Sequence, residues 1–123
     1  MSNKGKGTKM TEDRRRSERL DKRNASAVVC KAWLTDCWTE VKLVDISGIG
    51  VGITVEDEIA IGGEVMLIFD FADKTGSVSV KAKVIRKSKA GLFFNVGLEF
   101  IKFEDKNLFI QNFCTLLLDA YYE

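Results

Sequence analysis

Arg14, Arg15, Arg16 and Arg19 fall within one seven-residue stretch, "RRRSERL". A guanidinium is permanently charged and presents a planar fork of donors, so it grips phosphate or carboxylate oxygens two bonds at a time and stacks on flat rings. Four of them so close together suit an anionic partner, although a solubilising tail would use the same charge run. The second stretch with chemistry in it is "DISGIG", Asp45 to Gly50. Asp and Ser there can bond nearby backbone amides and Gly can supply a positive φ, which describes a tight turn. The same turn can also present Asp45, Ser47 and bare amides to a ligand, with Gly50 permitting close approach.

Several kinds of chemistry are excluded by composition. The chain has no histidine, which removes the usual general base and the commonest metal ligand, and no proline. No phosphate-binding GxxxxGK[ST] loop is present. "GIGVG" has the look of a dinucleotide-binding glycine loop, but such a loop must open a helix, and here "ITVE" follows with strand character. The three cysteines, Cys30, Cys37 and Cys114, show no CxxC spacing. They predict reduced thiols rather than a zinc site or a disulfide framework, with Cys30 and Cys114 serving as small core residues. Glu56, Asp57 and Glu58 lack the spaced oxygen ligands of a calcium loop. No enzyme, metal or cofactor is expected.

The elements that must position these residues follow from periodicity. Six runs read as strands: 26–34, 38–46, 50–56, 63–71, 77–87 and 92–100. The fifth alternates most cleanly, with Val78, Val80, Ala82 and Val84 on one face and Ser79, Lys81 and Lys83 on the other. From about 104 to 121 the period changes, and Phe109, Phe113, Leu116, Leu117 and Ala120 recur at helical spacing, with Glu104 and Asp105 placed to favour the helix dipole. Short strands joined by turns and then a lone helix predict a small antiparallel barrel with the helix packed on it, spanning about 25–101. Trp33 and Trp38, flanking the first hairpin, read as core or rim packing.

Charge divides the chain. Residues 1–23 hold nine Lys/Arg against four carboxylates, and the remaining hundred hold ten against fourteen. A basic arm on a mildly acidic body again points to an anionic partner, be it a nucleotide, a nucleic acid or a lipid headgroup. Residues 1–11 are small, polar and lysine-rich, and read as a disordered tail. No apolar run is long enough to span a bilayer, and the polar N-terminus lacks a signal-peptide core, so a cytoplasmic protein without membrane insertion is expected.

Arg15 and Arg19 form RxxxR, and twenty-five residues separate Arg19 from Asp45, where Asp45-Ile-Ser47-Gly-Ile-Gly50 forms [DN]xSxxG. With these two motifs in this order, and "NVGLEFIKF" (Asn95–Phe103) before the helix, residues 12–122 resemble the PilZ domain family of bacterial cyclic di-GMP receptors. The resemblance implies a six-stranded PilZ-type β-barrel with a C-terminal α-helix and a flexible N-terminal arm, 14–20. It implies that Arg15 and Arg19 bind the phosphates and guanine edges of cyclic di-GMP, that Asp45 and Ser47 contact guanine, and that Gly50 keeps the turn open. Arg14 occupies a position that supports a second, intercalated ligand in some members.

The chemistry agrees with that implication. Cyclic di-GMP offers two phosphates for guanidinium forks, two guanine O6/N7 edges, and N1–H and N2–H donors that a carboxylate accepts. A downstream protein partner is expected to receive the signal. Two other readings stand beside this one. A small-barrel nucleic-acid binder would use the basic arm, but the strands carry few aromatics beside their lysines and the barrel body is acidic, so nucleic acid is an unlikely partner. A PilZ-like adaptor that binds only protein would typically lack the arginine motif.

Overall fold

The structure, a computed structural model, describes residues 20–21, 28–71 and 77–122. Among the described residues seven strands precede one helix: β1 (Leu20–Asp21), β2 (Val28–Leu34), β3 (Cys37–Ile46), β4 (Gly50–Val55), β5 (Glu64–Phe71), β6 (Ser77–Ala90), β7 (Phe93–Phe103) and α1 (Lys106–Tyr122). The strands run in the order β1-β3-β2-β5-β6-β7-β4, and β4 also pairs with β3, which closes β2 to β7 into a six-stranded antiparallel barrel. Closure leaves the six strands without an open sheet edge along their paired lengths.

The barrel follows the expected alternation. Val65, Leu67, Phe69 and Phe71 of β5 are buried, as are Val78, Val80, Ala82 and Val84 of β6. Phe109 of α1 is fully buried, with the rings of Phe69, Phe71, Phe100, Phe103 and Phe113 at centroid distances of 5.1 to 6.2 Å. The helix thus plugs the barrel through one aromatic cluster. Trp33 and Trp38 form a cross-strand pair at the rim, edge to face at 5.3 Å, and both remain partly exposed. Cys30 is buried, whereas Cys114 is only half-buried.

Four details differ from the periodicity reading. β7 continues to Phe103 and α1 starts at Lys106, because Asp105 caps the helix: its Oδ1 accepts from the Leu108 N–H at 3.0 Å. Glu104 is therefore outside the first turn. Its N–H donates to the Ser79 carbonyl at 2.8 Å and its Oε1 accepts from the Ser79 N–H at 3.3 Å, which ties the helix entrance to β6. The β6–β7 hairpin is longer than expected, with a two-residue turn at Gly91-Leu92 in which Gly91 has φ of 66°. Finally, β1 is an added strand that alternation did not reveal.

That added strand matters for position. β2 pairs with β3 only from Cys37 to Val41, which leaves the same edge of β3 open further on. β1 fills it, with Leu20 opposite Ile46 and Asp21 opposite Asp45. Leu20 is 1% exposed, so burial of one leucine anchors the chain beside the "DISGIG" turn.

Candidate functional site

Of the six residues the sequence nominates, Asp45, Ser47 and Gly50 lie within the described structure, while Arg14, Arg15 and Arg19 lie outside the described residues. Asp45 is the penultimate residue of β3 and is half-buried. Ser47 and Gly50 bound the turn into β4.

The turn is held by Ser47 itself. Its hydroxyl donates to the Gly50 carbonyl at 3.2 Å and accepts from the N–H groups of Ile49 at 3.2 Å and Gly50 at 3.1 Å. The Ser47 N–H adds a bond to the Gly50 carbonyl at 2.9 Å, and the Ile49 carbonyl accepts from Phe100 of β7 at 2.9 Å. Ser47 is fully buried. Its oxygen and the Ile49 and Gly50 amides are thus consumed inside the turn, contrary to the picture of bare amides facing a ligand. Nor does the turn need a left-handed glycine: the described positive-φ glycines are Gly62 and Gly91. Ser47 shapes the turn and thereby fixes where β3 ends and β4 begins.

Register then assembles a row that the sequence reading missed. Asp45 pairs with Gly52 on β4, Gly52 with Gly97 on β7, and Gly97 with Arg86 on β6. The two central positions carry no side chain, and the two outer side chains fold over them. A Cβ placed on Gly52 would sit 3.0 Å from Asp45 Oδ1, and one on Gly97 would sit 2.9 Å from Arg86 Cγ and Cζ. The result is a cleft of about 190 Å³ with a backbone floor, a carboxylate at one end and a guanidinium at the other. Val44, Ile53, Asn95 and Ser88 also line it.

A bulge creates this arrangement. Strict alternation from Val84 would turn Arg86 toward the interior, but the register of β6 against β7 shifts between Val84 and Arg86. One extra residue reverses the side-chain parity and sends Arg86 over the outer face. Beyond it Lys87 pairs with Glu58 at 2.9 Å and lies over the Phe94 ring, and this bond holds the Glu58 carboxyl below its ordinary range. The sequence signal for the row was available in Gly52 and Gly97: glycine inside a strand weakens it and often marks close approach by another group.

Among the described residues no group of three His, Cys, Asp or Glu side chains could hold a metal, and no helix is long and apolar enough to cross a membrane. Burial pushes the Cys30 thiol up to about 12, the opposite of a reactive cysteine.

Similarity searches supply the family. No curated protein sequence gives a significant match. Among solved structures, the chain is similar to the Bacillus subtilis inhibitor of motility MotI/DgrA, with 15% identity and a TM-score of 0.65 over 85% of this chain and 51% of that one. It is similar to K. pneumonia MrkH, solved as a complex with c-di-GMP, with 18% identity and a TM-score of 0.65 over 87% of this chain and 52% of that one. Borreliella burgdorferi PlzA, also solved in complex with c-di-GMP, gives 9% identity and a TM-score of 0.58 over 94% of this chain and 57% of that one. The chain spans about half the length of the first two, and at such identities the likeness is one of fold. The sequence profile of the PilZ domain matches residues 13–114, a span that contains both motifs and the whole barrel; the chain belongs to the PilZ domain family.

Proposed function

We propose that this chain is a cyclic di-GMP receptor whose ligand lies on the outer face of β3, β4, β7 and β6, and that it acts as a binding module rather than a catalyst. The observation that carries the reading is the row Asp45, Gly52, Gly97, Arg86. The Arg86 guanidinium lies against the Gly97 backbone, and its outer face would offer a planar base a surface to stack on. Asp45 at its edge suits the N1–H and N2–H donors of guanine, and a guanidinium over the floor suits stacking or a forked bond to O6 and N7. The structures of MrkH and PlzA with c-di-GMP, on the same fold, support the ligand class.

In the proposal the arginine motif joins this site, because it precedes the Leu20 anchor in the chain. Arg19 immediately precedes Leu20, and Leu20 is held opposite Ile46, the residue between Asp45 and Ser47. In the proposal Arg19 and Arg15 bind the phosphates and the second guanine, Arg14 assists, and Asp45 reads the first guanine. Ser47 and Gly50 act through the turn they build. Each charge-assisted bond contributes about 1.5–3 kcal/mol, so several together reach micromolar affinity or better after the cost of ordering. The bound segment 14–20 would then change the surface offered to a protein partner. Calorimetric titration with cyclic di-GMP, with GTP and with a single-stranded oligonucleotide tests the reading. Saturable binding of the cyclic dinucleotide alone is expected; silence with it, or equal binding of the oligonucleotide, would overturn the proposal.

A further inference from the structure

One step along the same face lies a second row. Lys42 pairs with Thr54, Thr54 with Asn95, and Asn95 with Ser88. Thr54 Oγ1 donates to Asn95 Oδ1 at 2.9 Å. With its oxygen engaged, the Asn95 amide has its Nδ2 hydrogens to offer as donors, and Asn95 borders the cleft that contains Asp45, Gly52, Gly97 and Arg86. Asparagine is a poor strand residue, and nothing in the barrel core uses this one.

We propose that Asn95, oriented by Thr54, reads the base held in this cleft and makes the site select guanine over adenine. The inference rests on the cyclic di-GMP reading and adds a specificity residue to it. Guanine presents O6, an acceptor, beside N1–H and N2–H donors on one edge. A carboxylate takes the two donors, which leaves O6 to be met by an amide donor. Adenine reverses both positions: its amino group faces the Asn95 donor and its N1 lone pair faces Asp45. Neighbouring strands are about 4.8 Å apart, so β3 and β7, flanking β4, stand roughly 10 Å apart. Asp45 and Asn95 line the same cleft from those two strands, so a carboxylate and an amide can address one base edge together. Arg86, acting on the ring face, would not distinguish the two purines.

The test is calorimetry on the full chain with cyclic di-GMP, 3′,3′-cyclic GMP-AMP and cyclic di-AMP, using wild type, Asn95→Ala, Asn95→Asp and Thr54→Val. Thermal midpoints and circular dichroism confirm that each variant is folded. Wild type should prefer cyclic di-GMP to cyclic di-AMP by on the order of a hundredfold or more, because a site built for hydrogen bonds rejects the mismatched edge. Asn95→Ala should weaken cyclic di-GMP by about tenfold and narrow that preference. Asn95→Asp should weaken it further, since a second carboxylate would face O6, and Thr54→Val should fall between wild type and Asn95→Ala. Unchanged affinity and preference in both Asn95 variants, with wild type binding normally, would overturn this assignment alone. Failure of wild type to bind any of the three would overturn the receptor reading as well.

Discussion

Asp45 and Arg86 stand at opposite ends of one cross-strand row, each folded over the glycine it pairs with. The row spans four strands, β3, β4, β7 and β6, and only its ends carry side chains. A carboxylate and a guanidinium thereby border one cleft on the outer face of the barrel. The two glycines are the most economical place to break the arrangement without unfolding the barrel.

Gly97→Ala would put a methyl group 2.9 Å from the Arg86 side chain, and Gly52→Ala would put one 3.0 Å from Asp45 Oδ1. Arg86 is exposed and can swing away, so Gly97→Ala should fold normally while filling the floor and displacing the guanidinium. Cyclic di-GMP affinity should fall by about tenfold, the loss of one charge-assisted contact. Calorimetry beside a thermal melt separates the two effects; a Gly97→Ala protein that binds as wild type does would show that the floor is not used.

Ser47→Ala removes the hydroxyl that makes three hydrogen bonds inside the turn and strands one buried and one partly buried amide. A loss of about 1–3 kcal/mol of stability is expected, read by urea denaturation. Affinity should fall as well, because the turn sets the position of Asp45 and of the Leu20 anchor. Full stability with lost binding would instead mean that Ser47 acts on the ligand directly.

The turn between β2 and β3 stores strain. Thr35 and Asp36 have φ of 50° and 66°, a conformation that Asn-Gly adopts readily and a β-branched residue does not. The double substitution Thr35→Asn with Asp36→Gly should therefore stabilise the fold by about 1 kcal/mol. It lies at the Trp33–Trp38 hairpin, away from the cleft, so ligand affinity should not move. A lower thermal midpoint would contradict the turn assignment.

Burial raises the Cys30 thiol from its ordinary 9.0 to about 12. The unfolded chain therefore loses this proton first as pH rises, so the associated stability is complete below pH 9 and disappears between there and about pH 12. Cys30→Val lacks the group and should show a shallower decline of stability over that alkaline range, with a neutral-pH change of less than about 1.5 kcal/mol. Parallel alkaline declines in the two proteins would exclude Cys30 as the source.

The barrel was legible because its strands alternate against a single core: β5 and β6 show their buried faces in the residue order itself. β1 was not legible. Leu20 and Asp21 are too few to show a period, and their pairing exists because β2 stops short and leaves an edge of β3 open. The helix start was misplaced because Glu104 and Asp105 look alike in sequence, whereas one bonds Ser79 and the other caps the helix. Asp45 and Ser47 were found from their motif, but the motif does not say that Ser47 is buried within the turn. Arg86 was hidden more deeply. Its meaning depends on a bulge after Val84 that reverses its facing, and on Gly97 lying opposite, and both are properties of the register between two strands.

In the proposed site Arg15 and Arg19 complete a cyclic di-GMP pocket whose other half is Asp45 and its glycine row. The most direct measurement is a calorimetric titration of cyclic di-GMP into wild type, Arg15→Ala, Arg19→Ala and Asp45→Asn. Wild type should bind with micromolar or tighter affinity, and each variant should lose at least about tenfold while its thermal midpoint without ligand stays close to wild type. Wild-type affinity retained in both arginine variants would contradict the account.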